Sequence, residues 1–275
     1  MKLKKIIKDI APPIIFRLAR KVFKKRGGMY FEGNYSSWDQ AVEFLGAQGY
    51  ADPSILEKTL KSTLMVKNGN AVFERDSVIF DQIQYSWPLL AGILLAAARS
   101  EGVYRILDFG GAFGSTYFQN KRFFNLLNKK ILYGIVEQNH YIDVGNKYLK
   151  DQTIQFFPSI KSFSEQEGTP SLVILSGVLQ NIPNPNQILQ EIFFTAPDIV
   201  VLDRVPYNFE DKERITIQNV PPSIYIGRYP HRFFSKNHFM KLFSENNYTL
   251  VESFEAIDGS NTDGDWGGHI FIKSI

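Results

Sequence analysis

From residue 103 onward the chain alternates short apolar runs with amphipathic stretches. Seven runs read as strands: 103–109, 131–137, 154–157, 171–176, 198–204, 248–255 and 268–274. Between the first six, segments near 115–128, 139–150, 160–166, 184–195 and 235–246 repeat apolar residues at helical spacing. Nearly continuous apolar strands separated by helices predict a mostly parallel sheet with helices on both faces. No helical pattern separates the last two runs, which predicts an antiparallel pair at the sheet edge. The expected fold is α/β and Rossmann-like, with seven strands, mostly parallel, and an antiparallel last strand.

Upstream the pattern changes. Residues 29–100 read as a mostly helical cap. Ser36-Ser37 caps a helix to about Gly46, Asp52-Pro53 opens one to about Val66, and Lys67-Asn68-Gly69-Asn70 is a turn. Asp81 to Arg99 completes the cap, with Pro88 near its start. The stretch 205–234, rich in Pro, Tyr and Arg, does not fit the alternation and reads as a long inserted loop at the carboxyl end of the sheet. The division is thus 1–28, 29–100 and 101–275, the last holding the insertion.

One run carries the clearest chemistry. Residues 105–115 take an apolar strand into Asp108, then a turn containing Gly110, Gly111 and Gly114, then a helix from Ser115. Such a turn brings a nucleotide-like ligand against bare backbone. A dinucleotide fingerprint needs G-x-G-x-x-G, whereas here the small residues are Gly110, Ala112 and Gly114, with an acid two positions before the first. Glu137, ending the second strand, offers two oxygens that match a vicinal diol, and Gln138 follows it. Leu172 to Ile182 is an apolar strand that stops at Ser176 and Gly177, with Gln180 shortly after. Phe157-Pro158-Ser159-Ile160 stands at the end of the third strand, with no acid there.

The glycine spacing and the 172–182 segment resemble the first and fourth motifs of class I S-adenosylmethionine (SAM) methyltransferases, and Glu137 supplies the acid for the ribose hydroxyls. Tyr35-Ser-Ser-Trp38, Phe73-Glu-Arg-Asp76, Tyr85-Ser-Trp87, Leu107-Asp-Phe-Gly-Gly111 and Val220-Pro-Pro-Ser-Ile-Tyr225 resemble, more specifically, a family of bacterial methyltransferases found among surface-polysaccharide biosynthesis genes. That resemblance covers about residues 12–275. It implies SAM as cofactor, held by Asp108, Gly110, Gly111, Ala112, Gly114, Glu137, Gln138, Ser176, Gly177 and Gln180, with Tyr85 folding over it. It also implies methyl transfer, with a sugar or glycan-precursor oxygen as the expected acceptor.

Methyl transfer to a hydroxyl gains from a general base. His231, in the inserted stretch, has an unperturbed pKa near working pH, and Asp203 at the end of the fifth strand is the alternative. Arg204, Arg228 and Arg232 are candidates for gripping an acceptor phosphate or carboxylate, and Tyr35, Trp38 and Tyr225 for an aromatic platform. Two rival readings stand beside this one: an NAD(P)-dependent sugar-modifying oxidoreductase, and a noncatalytic SAM-binding scaffold.

Composition narrows the rest. Apolar residues make up 44% of the 275, which suits a sizeable core. With no cysteine and no H-x-x-x-H pair among the four histidines, no metal site is expected, and the absence of cysteine suits a reducing cytoplasm. The net charge of +3 hides an asymmetry: residues 1–26 hold ten basic residues against Asp9, a charge of +9, so the remainder carries −6. An acidic remainder makes nucleic acid a poor partner. The basic segment also holds Ile6, Ile7, Ile10, Ile14, Ile15, Phe16, Leu18, Val22 and Phe23, interrupted by Pro12-Pro13, too short to span a membrane and without a signal-peptide cleavage site. It reads either as an amphipathic helix on the anionic inner face of the membrane or as a basic helix packed on its own domain. The membrane reading predicts salt-sensitive sedimentation with anionic vesicles. Equal sedimentation of a chain lacking residues 1–26 overturns it.

Overall fold

The computed structural model describes residues 29–46, 53–222, 224, 227–257 and 264–274; the basic segment 1–26 and Tyr225 lie outside them. The central sheet has seven strands: β4 (Tyr104–Phe109), β5 (Ile131–Val136), β6 (Ile154–Phe157), β7 (Leu172–Ser176), β8 (Ile199–Asn208), β11 (Tyr248–Glu255) and β12 (Gly264–Lys273). Their order is β11-β12-β8-β7-β4-β5-β6. β4 pairs in parallel with both β5 and β7, and β12 is antiparallel to both neighbours. This is the predicted Rossmann-like sheet, with its antiparallel last strand.

Two-residue periodicity makes both faces apolar. Ile106, Ile174 and Val201 point to one side and Leu107, Val173 and Val200 to the other, all fully buried. Helices α3 (Trp87–Arg99), α4 (Ser115–Phe124) and α5 (Asn139–Tyr148) cover the first face. The second is covered by α6 (Ile160–Glu167), α7 (Pro185–Thr195) and α8 (Lys236–Glu245). Each large side chain buried this way contributes about 1.5–3 kcal/mol, so the two layers dominate the fold's stability. The remaining helices are α1 (Trp38–Leu45), capped by Ser37 accepting from the Gln40 amide at 3.1 Å, and α2 (Pro53–Lys67).

Three departures from the sequence reading matter. The cap is not helical throughout: β1 (Tyr30–Tyr35) is a strand, and β2 (Phe73–Arg75) with β3 (Val78–Phe80) forms a hairpin. Its two-residue loop, Asp76-Ser77, has φ of 51° and 67°, the double left-handed pattern whose twist matches a hairpin. Helix α3 starts at Trp87 rather than Asp81, with Pro88 in its first turn, where a missing N–H costs nothing.

The stretch 205–234 is not a loop. β8 runs on to Asn208, and β9 (Arg214–Val220) and β10 (Gly227–Phe233) build a second, antiparallel sheet of order β1-β9-β10. The Phe234 amide donates to Pro206 O and the Asn208 amide to Phe234 O, both at 2.9 Å, so the second sheet hangs from the end of β8. Pro230 fits because β10 is an edge strand.

His231 moves with this correction. It lies on β10, fully buried, boxed by Phe31, Phe233 and Trp266 at ring-centroid distances of 4.5, 4.9 and 5.5 Å. Neither ring nitrogen has a hydrogen-bond partner among the described residues, and burial pushes its pKa down to about 3. A group so enclosed is packing material, not a general base for a bound acceptor. It predicts a pH effect on stability. The unfolded chain protonates this histidine near pH 6.5, while the folded chain refuses the proton until about pH 3. The stability present above pH 6.5 is therefore lost as pH falls, at about 1.4 kcal/mol per pH unit. His269, held down to about 4 by burial, adds its own share, so the measurement is a difference. Chemical denaturation from pH 7 to 4 should show His231→Phe gaining steadily on the wild type; parallel curves refute the assignment.

Candidate functional site

Strand order reverses between β4 and β7, and the connections leaving their carboxyl ends diverge around a crevice. Three strand ends and a point within β8 deliver polar side chains to it: Asp108 from β4, Glu137 after β5, Ser176 from β7 and Asp203 within β8. The crevice has two lobes that share Gly110. The first, about 670 Å³ with its open mouth, has on its walls Asp108, Gly111, Ala112, Ser176, Asp203 and Arg204. The second, about 1140 Å³ with its mouth, is walled by Glu137, Gln138 and Gly177 together with apolar Phe109, Ile160 and Val178.

The glycine turn is bare because its neighbours leave no room. A Cβ on Gly111 would collide with the Asp108 carboxylate, and one on Gly110 with Val178. Gly110 and Gly114 have φ of 69° and 89°, and Ala112 accepts 48° between them. The Asp108 carboxylate curls beneath the turn and accepts from the Tyr133 hydroxyl at 2.6 Å. Burial raises its pKa to about 7, against the Tyr133 hydrogen bond and with help from the Glu137 charge. Glu137 accepts from the Ala112 amide at 3.2 Å and from the Gln138 amide at 2.9 Å. Burial raises its pKa too, opposed by those two amides.

Asp203 and Arg204 reach the same lobe through a β-bulge. Leu202 pairs with His269 and Val205 with Gly267, so two β8 residues stand opposite Gly268 alone. In regular pleating, consecutive side chains would point to opposite faces. The bulge, with Arg204 at φ 58°, sends both to the crevice. A left-handed arginine costs on the order of 1–3 kcal/mol. Its guanidinium grips Asp76 of the β2–β3 loop at 2.5 and 3.4 Å. That pair is partly exposed and returns only about 0.2–1 kcal/mol, so the flanking ladder of β8 with β12 holds the bulge. Ser176 donates to Asp203 at 3.3 Å across the β7–β8 pairing.

The hairpin supplies a residue absent from the sequence-derived set. Glu74, on β2, is 1% exposed yet lines the first lobe. It accepts from Ser115, the first residue of α4, and burial raises its pKa against that hydrogen bond. Ser86, Thr116 and Gln119 also line this lobe. Phe73-Glu-Arg-Asp76 stands out in the sequence, but nothing local marks Glu74 as buried, because its partner is 41 positions away.

Other predicted residues sit elsewhere. Tyr85 packs on Trp87 and Phe123 at 4.8 and 5.4 Å instead of folding over the crevice. Gln180 is buried and donates to Arg204 O at 3.4 Å, bracing the bulge rather than facing a ligand. Gly114 caps α4 from behind the turn, against Ile135. Arg228 pairs with Glu32 and donates to Asn219 at 2.8 Å. Arg232 pairs with Glu213 and donates to Pro183 O, both at 2.9 Å, and lies over Trp38 at 5.5 Å. Tyr35 packs on Phe44 at 5.5 Å. Arg228, Arg232, Tyr35 and Trp38 tie β1, α1 and the second sheet together, which corrects their assignment to an acceptor site.

No protein-family model and no curated protein matches this chain. Solved structures of similar fold include 1,6-didemethyltoxoflavin-N1-methyltransferase of Burkholderia thailandensis, with 13% identity over 84% of this chain and 94% of the other, at a TM-score of 0.42. Another is a SAM-dependent methyltransferase of Methanosarcina mazei, with 12% identity over 66% and 97% and a TM-score of 0.47. A third is an S-adenosylmethionine-dependent methyltransferase of Clostridium acetobutylicum, with 9% identity over 67% and 90% and a TM-score of 0.44.

The buried Asp108 makes a testable statement about the ligand-free protein. Its pKa is raised in the folded state, so its contribution favours folding below about pH 4 and is lost as pH rises to about 7. Asp108→Asn keeps an acceptor for Tyr133 and removes the titration. Denaturation from pH 4 to 8 should show the variant gaining on the wild type by several kcal/mol up to about pH 7, then running level. A constant difference across that range refutes it.

Proposed function

We propose that the chain is a SAM-dependent methyltransferase whose cofactor lies across the two lobes. The observation that carries this reading is the charge around the glycine turn. Asp108 lies beneath it, Glu137 takes the Ala112 amide, and Glu74 and Asp203 share the first lobe. A dinucleotide needs such a turn to aim free amides at a pyrophosphate. Here a carboxylate already holds one amide, and anionic phosphates would face like charges. At ~5 Å and an effective dielectric of 20, each such pair repels by about 3 kcal/mol. A ligand bearing a sulfonium and an ammonium reverses the sign. The fit extends to the second lobe, where Glu137 borders a wall of Phe109, Ile160 and Val178 suited to an adenosine.

The bound cofactor supplies an electrophilic methyl group on sulfur. The protein's own work is to bind, orient and take a proton. Glu137 has oxygens at the lobe edge for the ribose diol. Asp203, at the inner wall of the first lobe, is the base candidate that remains after His231, with Ser176 orienting it. Arg204 is the one of the three candidate arginines on a crevice wall, positioned for a phosphate or carboxylate of the acceptor. The acceptor oxygen on a sugar or activated glycan precursor, and the surface-polysaccharide setting, rest on the sequence resemblance. The peripheral membrane role of residues 1–26 rests on their basic and amphipathic composition. Among the described residues no helix is long and apolar enough to cross a membrane.

Calorimetry with SAM and NAD tests the cofactor. SAM should bind and NAD should not, and Glu137→Ala should weaken SAM about tenfold or more. Tight NAD binding without SAM binding overturns the proposal. Transfer of a radiolabelled methyl to nucleotide sugars or extracted glycans tests the chemistry, with Asp203→Asn expected to lose turnover while SAM affinity stays within about twofold.

A further inference from the structure

We infer that Glu74 binds the α-ammonium of the cofactor's amino-acid end, which makes the β2–β3 hairpin a wall of the cofactor site. The inference rests on the SAM reading above and extends it to an element outside the central sheet.

Three observations meet at this side chain. Glu74 is 1% exposed, yet it lines the first lobe with Gly110, Gly111 and Ala112. Its Oε1 accepts from the Ser115 hydroxyl and from Thr63 Oγ1 at 3.4 Å, which fixes the carboxylate in place. Its Oε2 is buried and makes no hydrogen bond of normal geometry among the described residues.

A carboxylate withdrawn from water needs its remaining lone pairs satisfied, and a cation satisfies them best. The groups bonded to Glu74 are all neutral: the Ser115 and Thr63 hydroxyls and the Ser77 amide. Of the two arginines on the walls of this lobe, Arg204 is gripped by Asp76 at 2.5 Å and Arg75 lies over the Phe80 ring at 5.5 Å. An ammonium brought by the ligand is compact and carries three donors, which suits a single open carboxylate oxygen. Placement agrees with this. The nucleoside end of the cofactor is assigned to the lobe of Glu137, and the lobes join at Gly110, so the amino-acid end extends into the lobe of Glu74. Glu74 also sits at the positive end of α4 through Ser115, which keeps a carboxylate ionised once a cation is present.

The test isolates the amine. S-adenosylhomocysteine and S-adenosyl-4-thiobutyrate differ only by that group, and 5′-methylthioadenosine lacks the whole amino-acid end. By calorimetry the wild type should prefer S-adenosylhomocysteine to the des-amino analogue by about tenfold or more. Glu74→Gln should abolish that preference and leave 5′-methylthioadenosine affinity within about twofold. Ser115→Ala, which frees the carboxylate from its hydroxyl, should reduce the preference in part. A wild type that binds no SAM overturns the cofactor reading itself. A wild type that binds SAM while Glu74→Gln retains the full preference overturns only the role of Glu74. Equal weakening of all three ligands in both variants also overturns it, by reducing Glu74 to a structural brace.

Discussion

Parallel pairing of β4 with strands on both sides is the constraint from which the site follows. A parallel strand must be reached by a crossover, and the connection leaving β4 turns toward β5 while the one leaving β7 turns toward β8. Between β4 and β7 the chain therefore cannot cover its own strand ends. Everything polar at those ends, from Asp108 to Asp203, collects at one gap. The apolar layers above and below fix the sheet, and the sheet fixes the gap. The chemistry is then a matter of which side chains stand at strand ends and which peripheral element leans over them.

The charge gathered there runs against stability. Asp108, Glu137 and Glu74 all have carboxyls whose pKa burial raises. A fold optimised for its own stability would place amides or apolar groups at these positions. In the proposed function, these acids kept out of water beside a cleft await a positively charged ligand, and the strained Arg204 belongs to the same pattern. The bulge brings Asp203 and Arg204 to one surface, and the second sheet, hung from the far end of β8, closes that side of the molecule. Binding and folding thus share the same residues, with the sheet's apolar mass carrying the cost.

The central sheet was legible because buried parallel strands are unbroken apolar runs such as Leu172–Ser176, ended by glycine. The glycine turn was legible because its glycines and Asp108 are local. The second sheet was not. Its strands bury Thr216, Gln218, Asn219, His231 and Arg232, and polar residues with Pro230 among them read as loop. What makes them strands is partnership at a distance: Arg228 with Glu32, Arg232 with Glu213, and β1 alongside β9. Arg228 and Arg232 invite an acceptor-binding reading on the same ground, since an arginine's partner is invisible until the chain folds. Glu74 is hidden for the converse reason, because in sequence Glu74-Arg75-Asp76 reads as a mixed-charge cluster. Its flanking charges, Arg75 and Asp76, disguise a carboxylate that folding removes from water.

The extra residue in β8 has a consequence for how the length of this strand can vary. Upstream of it, β8 is in phase with the central sheet; downstream, through Val205 and Tyr207, the phase is shifted by one. An in-frame loss of either Asp203 or Arg204 restores regular pairing with β12 and is gentle on the fold. It leaves one side chain where the crevice has two. Chains related to this one should therefore tolerate exchange of residue type along β8 far more readily than a change in residue count, and a relative one residue shorter here is best regarded as a protein of different chemistry.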